Sequence, residues 1–483
     1  MLLSTLPAPT IPPLMSFHLG KPILVMIVIA AVTGTAIALR SRERKRADLV
    51  LWVFADSHAK TYRGSGLPGE PPSLVEKFRK MHGLTVDIQL LSYRAENVRL
   101  VSMFMSDMKG PVVPDVVEIE IGQVGRFFRP PVNEVGLLPL NDFLKESGWM
   151  DRIVKTRFAP WSKEGVIFGV PHDVHPVTIT YRDDLFREAG VDLSAAKTWY
   201  EFHEMCLRFR DYWRKRGFYH RHALELPVSD ASYLLVMLLQ RHINPIDDYG
   251  RIHLDNPKVA QTVAFYAQLV AGPRKIATQS PGVEGAASKD LNEGNICAYI
   301  TPDWRVKTLK DYTETDPATG RKKLEGKMRM MPLPIFEPGD ARTATWGGTM
   351  MGIPRTCPRP REAWKLIEYL YLSEDGLRAR LRETNILPPV KDQWNEPEYQ
   401  REDPYFGGQK VDRLFVELAH EIPARYVNPA TTFAAMALSN VMDKARLHVE
   451  SRGPEGLEER CRQWLKDAAD DLDVRIRQAS FEQ

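Results

Sequence analysis

Leu49-Val-Leu-Trp-Val-Phe-Ala55 and, after a short gap, Ser73-Leu-Val-Glu-Lys-Phe-Arg-Lys-Met-His-Gly-Leu-Thr-Val-Asp-Ile-Gln-Leu-Leu91 decide the fold class. The first run is apolar and rich in β-formers, which predicts a buried strand. Residues 64–72, rich in Gly and Pro, read as a loop. Ser73 and Glu76 then stand at capping-box spacing. Leu74, Val75, Phe78 and Met81 make one apolar helical face, and Gly83 supplies a stop. Leu84–Leu91 returns to strand, and Pro114–Ile121 gives another. This alternation predicts an α/β lobe with a largely parallel sheet. Ligands of such sheets bind beyond the carboxyl ends of the strands, which directs attention to residues after Ala55 and near Glu118–Gly122.

The pattern continues outward. Val166–Pro171 and Val177–Arg182 read as strands, and Thr198-Trp-Tyr-Glu201 as a second capping box opening a helix with the stripe Phe202, Met205, Cys206 and Phe209. Residues 230–272 read as mostly helical and 273–296 as loop-rich with a short amphipathic piece. Ile296–Ile300, Met328–Pro334 and Thr349–Pro354 are short strands, and Ala363–Leu372 is a helix. The last hundred residues are helical and polar.

At 483 residues the chain is too long for one core, so two large lobes or three smaller ones are expected. With 43% hydrophobic and 26% charged residues and a net charge of only +3, it gives no reason to propose nucleic acid as a partner. Cys206, Cys297, Cys357 and Cys461 lie far apart, without zinc-site spacing. Cys206 reads as a small buried hydrophobe. There is no H-E-x-x-H, G-x-S-x-G, Walker-type or G-x-G-x-x-G motif, so no enzymatic chemistry and no cofactor is expected.

The first fifty residues differ. Lys21, an apolar run from Pro22 to Val32 and Ala36-Ile-Ala38 are the parts of a secretory signal peptide. The competing reading is an uncleaved anchor, because residues 22–39 are just long enough to span a bilayer. Arg40, Arg42, Arg44, Lys45 and Arg46 follow that run, and the positive-inside rule alone would leave the rest of the chain in the cytoplasm.

Further motifs occur in order along the chain: Pro114-Asp-Val-Val117, Gly136-Leu-Leu-Pro-Leu140, Gly165-Val-Ile-Phe-Gly-Val-Pro171, Tyr181-Arg-Asp-Asp-Leu-Phe186, Thr198-Trp-Tyr-Glu-Phe202, Asn292-Glu-Gly-Asn-Ile-Cys-Ala298 with Trp304, Trp346-Gly-Gly348 and Ala363-Trp-Lys-Leu-Ile367. Over residues 48–445 this set resembles the extracellular solute-binding proteins of bacterial ABC importers, in the sugar-binding group that includes maltose-binding protein. Each motif alone is weak, and the ordered set is specific. The chain departs from the family in having no lipidation cysteine near its start, a long loop from His58 to Pro72, and a basic segment at residues 206–225. The loop lies beside the expected ligand mouth and bears on the substrate class.

The resemblance implies a periplasmic-binding-protein-like (Venus-flytrap) fold. Two α/β lobes would be joined by crossings near Pro171–Val174, Trp346–Gly348 and Leu387–Pro389. Residues 1–47 would be the signal or anchor with a basic linker. Residues 48–172 and 347–387 would form lobe 1, and 173–346 and 388–480 lobe 2. A monomer would capture a sugar or oligosaccharide outside the cytoplasm by hinge closure and deliver it to a membrane ABC permease. The alternatives are a membrane-anchored sensor or scaffold of the same fold, and a polysaccharide hydrolase.

Candidate ligand residues follow from position and chemistry. Asp56 and His58 come after the first strand. Glu118 and Glu120 alternate and so share one face of the third strand, where the bland reading is a solvated strand face. Asp173 falls where the chain passes between lobes, and a carboxylate there accepts hydroxyl hydrogen bonds. Trp304 stands where the family places a stacking aromatic, beside Asp303, and the alternative is core packing. Trp346 precedes Gly347 and Gly348, which allow close backbone approach. Trp52 and Trp364 are assigned to the core. His172 and His175, three apart on an extended segment, face opposite ways and do not chelate a metal. Asp183 and Asp184 read as caps of a helix beginning at Leu185.

Overall fold

The structure, a computed structural model, describes residues 20, 25–33, 46–64, 73–106, 113–129, 131–280 and 284–481. Residues 1–47 form one unit and Asp48–Gln483 a second, compact one. In the first, residues 25–33 are an exposed helix, while Lys21 and Ala36–Ala38 lie outside the described residues. No helix among the described residues is long and apolar enough to cross a membrane.

Eight strands build two sheets: β1 (Leu49–Val53), β2 (Val86–Leu90), β3 (Val116–Glu120), β4 (Val170–Pro171), β5 (Val177–Arg182), β6 (Ala298–Pro302), β7 (Met328–Pro332) and β8 (Thr349–Gly352). The first sheet runs β2-β1-β3-β8-β4, and the second β6-β5-β7. β1 pairs parallel with β2 and β3, with Leu51 opposite both Ile88 and Val116. β8 runs antiparallel to β3 and β4, so the parallel order stops at the returning strand. The second sheet is antiparallel throughout.

The two-residue period explains why all of β1 is buried. Leu49, Leu51 and Val53 enter one core with Phe78 and Leu370, while Val50 and Trp52 enter another with Phe128 and Trp161. Each such side chain removed from water contributes about 1.5–3 kcal/mol. In the second sheet, Ala298 and Ile300 join a core containing Trp199, Phe202, Cys206 and Phe209, and Tyr299 faces a separate cluster with Phe406 and Phe415. Trp52 and Trp364 are core residues, as expected.

Seven helices matter for the site: α1 (Asp56–Arg63), α2 (Leu74–His82), α3 (Tyr93–Ser106), α4 (Trp199–Arg214), α5 (Ala231–Gln240), α6 (Pro257–Val270) and α7 (Asp303–Tyr312). Thr198 and Glu201 form the full reciprocal capping box of α4. At α2 only half of it forms: Ser73 accepts from the Glu76 N–H at 3.0 Å, while the Glu76 carboxylate turns to Arg79. Asp183 and Asp184 differ from expectation. The helix starts at Asp183, so both lie in its first turn, where Arg187 and Arg182 pair with them at 2.7 Å. Residues 230–272 divide into α5 and α6, because Pro245 and Gly250 fall between them.

Candidate solute-binding site

The chain passes from the first sheet to the second through residues 172–176 and returns through 333–348. Backbone pairing joins the two passages at Pro176 and Thr345, and further bonds tie in Val154, Thr349, Leu387 and Pro389. His172 N–H donates to Thr349 O at 2.8 Å, Val174 N–H to Leu387 O at 3.0 Å, and Val154 N–H to Pro389 O at 3.0 Å.

Asp173 is fully buried at the centre. Its Oδ1 accepts from Arg157 Nη2 at 2.9 Å, and its Oδ2 accepts from Thr349 N–H at 3.0 Å and lies 3.1 Å from His175 Nε2. Burial opposes its ionisation, but His175, His172 and Arg157 hold its carboxyl well below the usual range. Asp303, also fully buried, lies 2.6 Å from His175 Nδ1 and accepts from Leu387 N–H at 2.8 Å. Burial alone would discharge His175; the flanking carboxylates of Asp173 and Asp303 outweigh it and raise the imidazole to about 9. This arrangement corrects the extended reading of residues 172–175. His175 has φ 56°, a left-handed turn that aims its ring back at Asp173, while His172 Nδ1 approaches the same carboxylate at 3.4 Å.

On the first sheet, period-2 alternation puts Glu118 and Glu120 on one face, but only Glu120 is partly exposed. Glu118 is fully buried, with Tyr62 O–H donating at 2.6 Å, Tyr371 O–H at 2.9 Å and His58 Nδ1 at 3.0 Å. His58 itself stacks on His172 at 4.2 Å. Glu120, at the strand's end, is partly exposed. Its Oε2 accepts from Gly122 N–H at 2.7 Å and Tyr93 O–H at 3.1 Å. A Cβ on Gly122 would lie 2.8 Å from that oxygen, so glycine there permits the carboxylate's position. Burial raises the Glu120 carboxyl, and Arg425 opposes the rise. Burial and Glu120 together push Tyr93 to about 12. Asp56 points to solvent on α1 and pairs with Lys60 at 2.6 Å.

On the second sheet's side, Trp304 and Trp346 are both partly exposed. Their rings cross at 75° with centroids 6.0 Å apart, and Trp304 Nε1 donates to Trp346 O at 3.0 Å. Tyr233 of α5 meets Trp346 edge-on at 4.5 Å and donates to Glu225 at 3.3 Å; Arg305 also pairs with Glu225, at 2.5 Å. Gly347 and Gly348 have φ 89° and 143°. A Cβ on Gly348 would lie 2.8 Å from Arg157 Nη2, so the backbone there runs directly over the buried Arg157–Asp173 pair.

The structure therefore links Glu118, His58, Asp173 and Asp303 through His172 and His175 into one buried chain of contacts, and leaves Glu120, Trp304 and Trp346 partly exposed. Asp56 stands apart. Sequence reasoning missed Tyr93, Tyr233 and Arg425. Tyr93 begins a helix directly after a strand, a signal that was available; Arg425 carries no such mark.

Two α/β lobes joined by short passages, with the partly exposed indoles of Trp304 and Trp346, are the architecture of a two-lobed solute-binding protein. The family model for bacterial extracellular solute-binding proteins matches residues 73–406, and the chain belongs to that family. An arabinooligosaccharide-binding protein of Halalkalibacterium halodurans is 23% identical over 422 residues, covering 84% of this chain and 86% of that one. A second protein of that name, from Bacillus subtilis, is 21% identical over 416 residues, covering 84% and 89%. The sugar-binding protein MalE of Xanthomonas citri has a similar fold, with a TM-score of 0.67 at 20% identity, covering 90% of this chain and 99% of that one.

Proposed function

We propose that this solute-binding protein captures a carbohydrate outside the cytoplasm and hands it to an ABC permease in the membrane. The crossed, partly exposed indoles of Trp304 and Trp346 carry the reading. A sugar ring has an apolar face that packs on indole and an equator of hydroxyls that a carboxylate such as Glu120 can accept. The names of the arabinooligosaccharide-binding relatives support an oligosaccharide as the ligand class.

The lobes on this reading are residues 48–172 with 347–387, and 173–346 with 388–480. Closure brings their polar groups around the solute, and binding shifts the open–closed population. The protein acts as a monomer and performs no chemistry on what it binds. Calorimetric titration against a panel of arabino-, malto- and galacto-oligosaccharides tests the function: saturable binding is expected, and a panel without a single binder would overturn the carbohydrate assignment. Alkaline phosphatase fused after residue 60 tests location, because that reporter folds only outside the cytoplasm. An inactive fusion at normal expression would refute export.

A further inference from the structure

The basic segment at residues 206–225 carries a surface that the solute site does not use. Helix α4 ends at Arg214, and the seven residues Arg214-Lys-Arg-Gly-Phe-Tyr-His220 are all exposed. Among the described residues no carboxylate pairs with Arg214, Lys215 or Arg216; the nearby Asp211 is taken by Arg210 at 2.8 Å, and Glu204 by Arg274. Burial, with Lys275, Arg214 and His220, holds the neighbouring His222 down to about 4, against the opposing pull of Asp290. Positive charge therefore prevails around this end of the helix.

Cations at a helix C-terminus complement its dipole, which is reason enough for Arg214 and Lys215. It does not account for the rings beside them. Phe218 is 47% exposed and Tyr219 66%. Their turn is fixed by its neighbours. Phe218 N–H donates to Trp213 O at 3.0 Å, Gly217 takes φ 88°, and the Phe218 ring meets the buried Trp213 edge-on at 5.1 Å. Arg221 lies over both rings, 4.0 Å from Trp213 and 4.5 Å from Phe218, and its Nε donates to Gly294 O at 2.8 Å. Two aromatic side chains are thus held out toward water beside three cations that lack a carboxylate.

We propose that this turn docks on an anionic lipid surface, the cations meeting headgroup phosphates while Phe218 and Tyr219 enter the interface. Basic and aromatic side chains together in one short segment match the chemistry of that boundary. An acidic protein is the poorer fit. A stable protein interface takes about 800 Å² and about 20–30 residues from each partner, far more than one turn offers. The inference is independent of the carbohydrate reading.

The test puts an environment-sensitive nitrobenzoxadiazole probe on Tyr219→Cys in the full chain. The wild type is treated alike, because Cys357 is partly exposed while the other cysteines are buried. A probe at this position reports on the turn itself, whatever the amino-terminal residues do. With vesicles of phosphatidylglycerol and phosphatidylcholine in equal parts, its emission should rise and shift to the blue. With pure phosphatidylcholine, or in high salt, it should stay that of a probe in water. Each Lys or Arg near an anionic surface contributes about fivefold in binding, so Arg214→Gln, Lys215→Gln and Arg216→Gln together should demand about a hundredfold more lipid. If that triple variant melts lower than the parent, Lys215→Gln alone should still cost about fivefold. A probe that stays in water while the chain sediments with anionic vesicles would overturn the proposal. So would an equal response to pure phosphatidylcholine, or a lipid demand unchanged in the glutamine variants. If poly-glutamate raises the emission as strongly as the vesicles do, the turn reads acidic protein and the lipid assignment falls.

Discussion

His175 Nδ1 lies 2.6 Å from Asp303 Oδ1, and through this contact one imidazolium joins the passage at residues 172–176 to the chain at Leu387, whose N–H donates to the same carboxylate. The other ring nitrogen reaches Asp173, which in turn holds Thr349. Three separate parts of the chain therefore meet on one titratable ring.

That ring makes stability depend on pH. Its folded pKa of about 9 is above the ordinary value of 6.5. Its contribution is therefore fully present below about 6.5 and is lost as pH rises through about 9. His175→Gln should flatten the melting temperature across this window and lower it at pH 6. Breaking one partner of a buried charge network costs about 3–5 kcal/mol. Thermal melts of both proteins from pH 6 to pH 10 measure this, and parallel curves would refute it.

Trp304 separates stacking from packing. If a sugar covers roughly 80–100 Å² of the indole, at about 25 cal/mol per Å², Trp304→Ala should lose about 2–2.5 kcal/mol of binding, or thirty- to seventyfold in Kd. A core tryptophan would instead cost about 3–5 kcal/mol of folding stability. The expected outcome is a small melting shift with a large affinity loss. Trp304→Phe should fall between, keeping a ring but losing the bond to Trp346 O.

Glu96 gives a stabilising substitution. It is buried, its Oε1 has no partner, and burial with the nearby Glu118 raises it to about 9. The folded protein must keep it protonated at pH 7, at a cost of about 3 kcal/mol against an unfolded carboxyl near 4.5. Glu96→Gln should therefore raise the melting temperature at pH 7 and converge with the wild type below pH 4.5. A lowered melting temperature at pH 7 would show that the carboxyl makes a contact an amide cannot replace.

Closure is measured by scattering. Lys163 Nζ donates to Asp248 O at 3.0 Å, a bond between the two proposed lobes. Saturating oligosaccharide should reduce the radius of gyration relative to the ligand-free protein. An unchanged radius at saturation would rule out hinge closure.

The strands were legible because their apolar runs are short and bounded by Gly and Pro. Leu49–Val53 needed no context, since every residue in it is buried on one face or the other. Glu118 was harder. Periodicity tells that it shares a face with Glu120, but not that Tyr62 and Tyr371 close over that face two residues before the strand ends. The left-handed His175 was invisible for a related reason: non-glycine residues seldom adopt that conformation, and the ring's partner Asp303 lies 128 residues further along the chain. Arg425 sits among prolines in a segment without period, so its sequence carried no information about which way the charge faces.

The placement of β8 has a consequence for how the chain comes into being. Residues 349–352 lie inside the first sheet, between β3 and β4, which are themselves complete by residue 171. A nascent chain therefore carries half a sheet with a raw edge while nearly two hundred further residues are made. Pairing across such a separation must overcome the entropy of closing a long loop, and it is slow. Synthesis order alone thus keeps the amino-terminal half unfinished until most of the polypeptide exists, a delay during which a chaperone has time to engage the open strand.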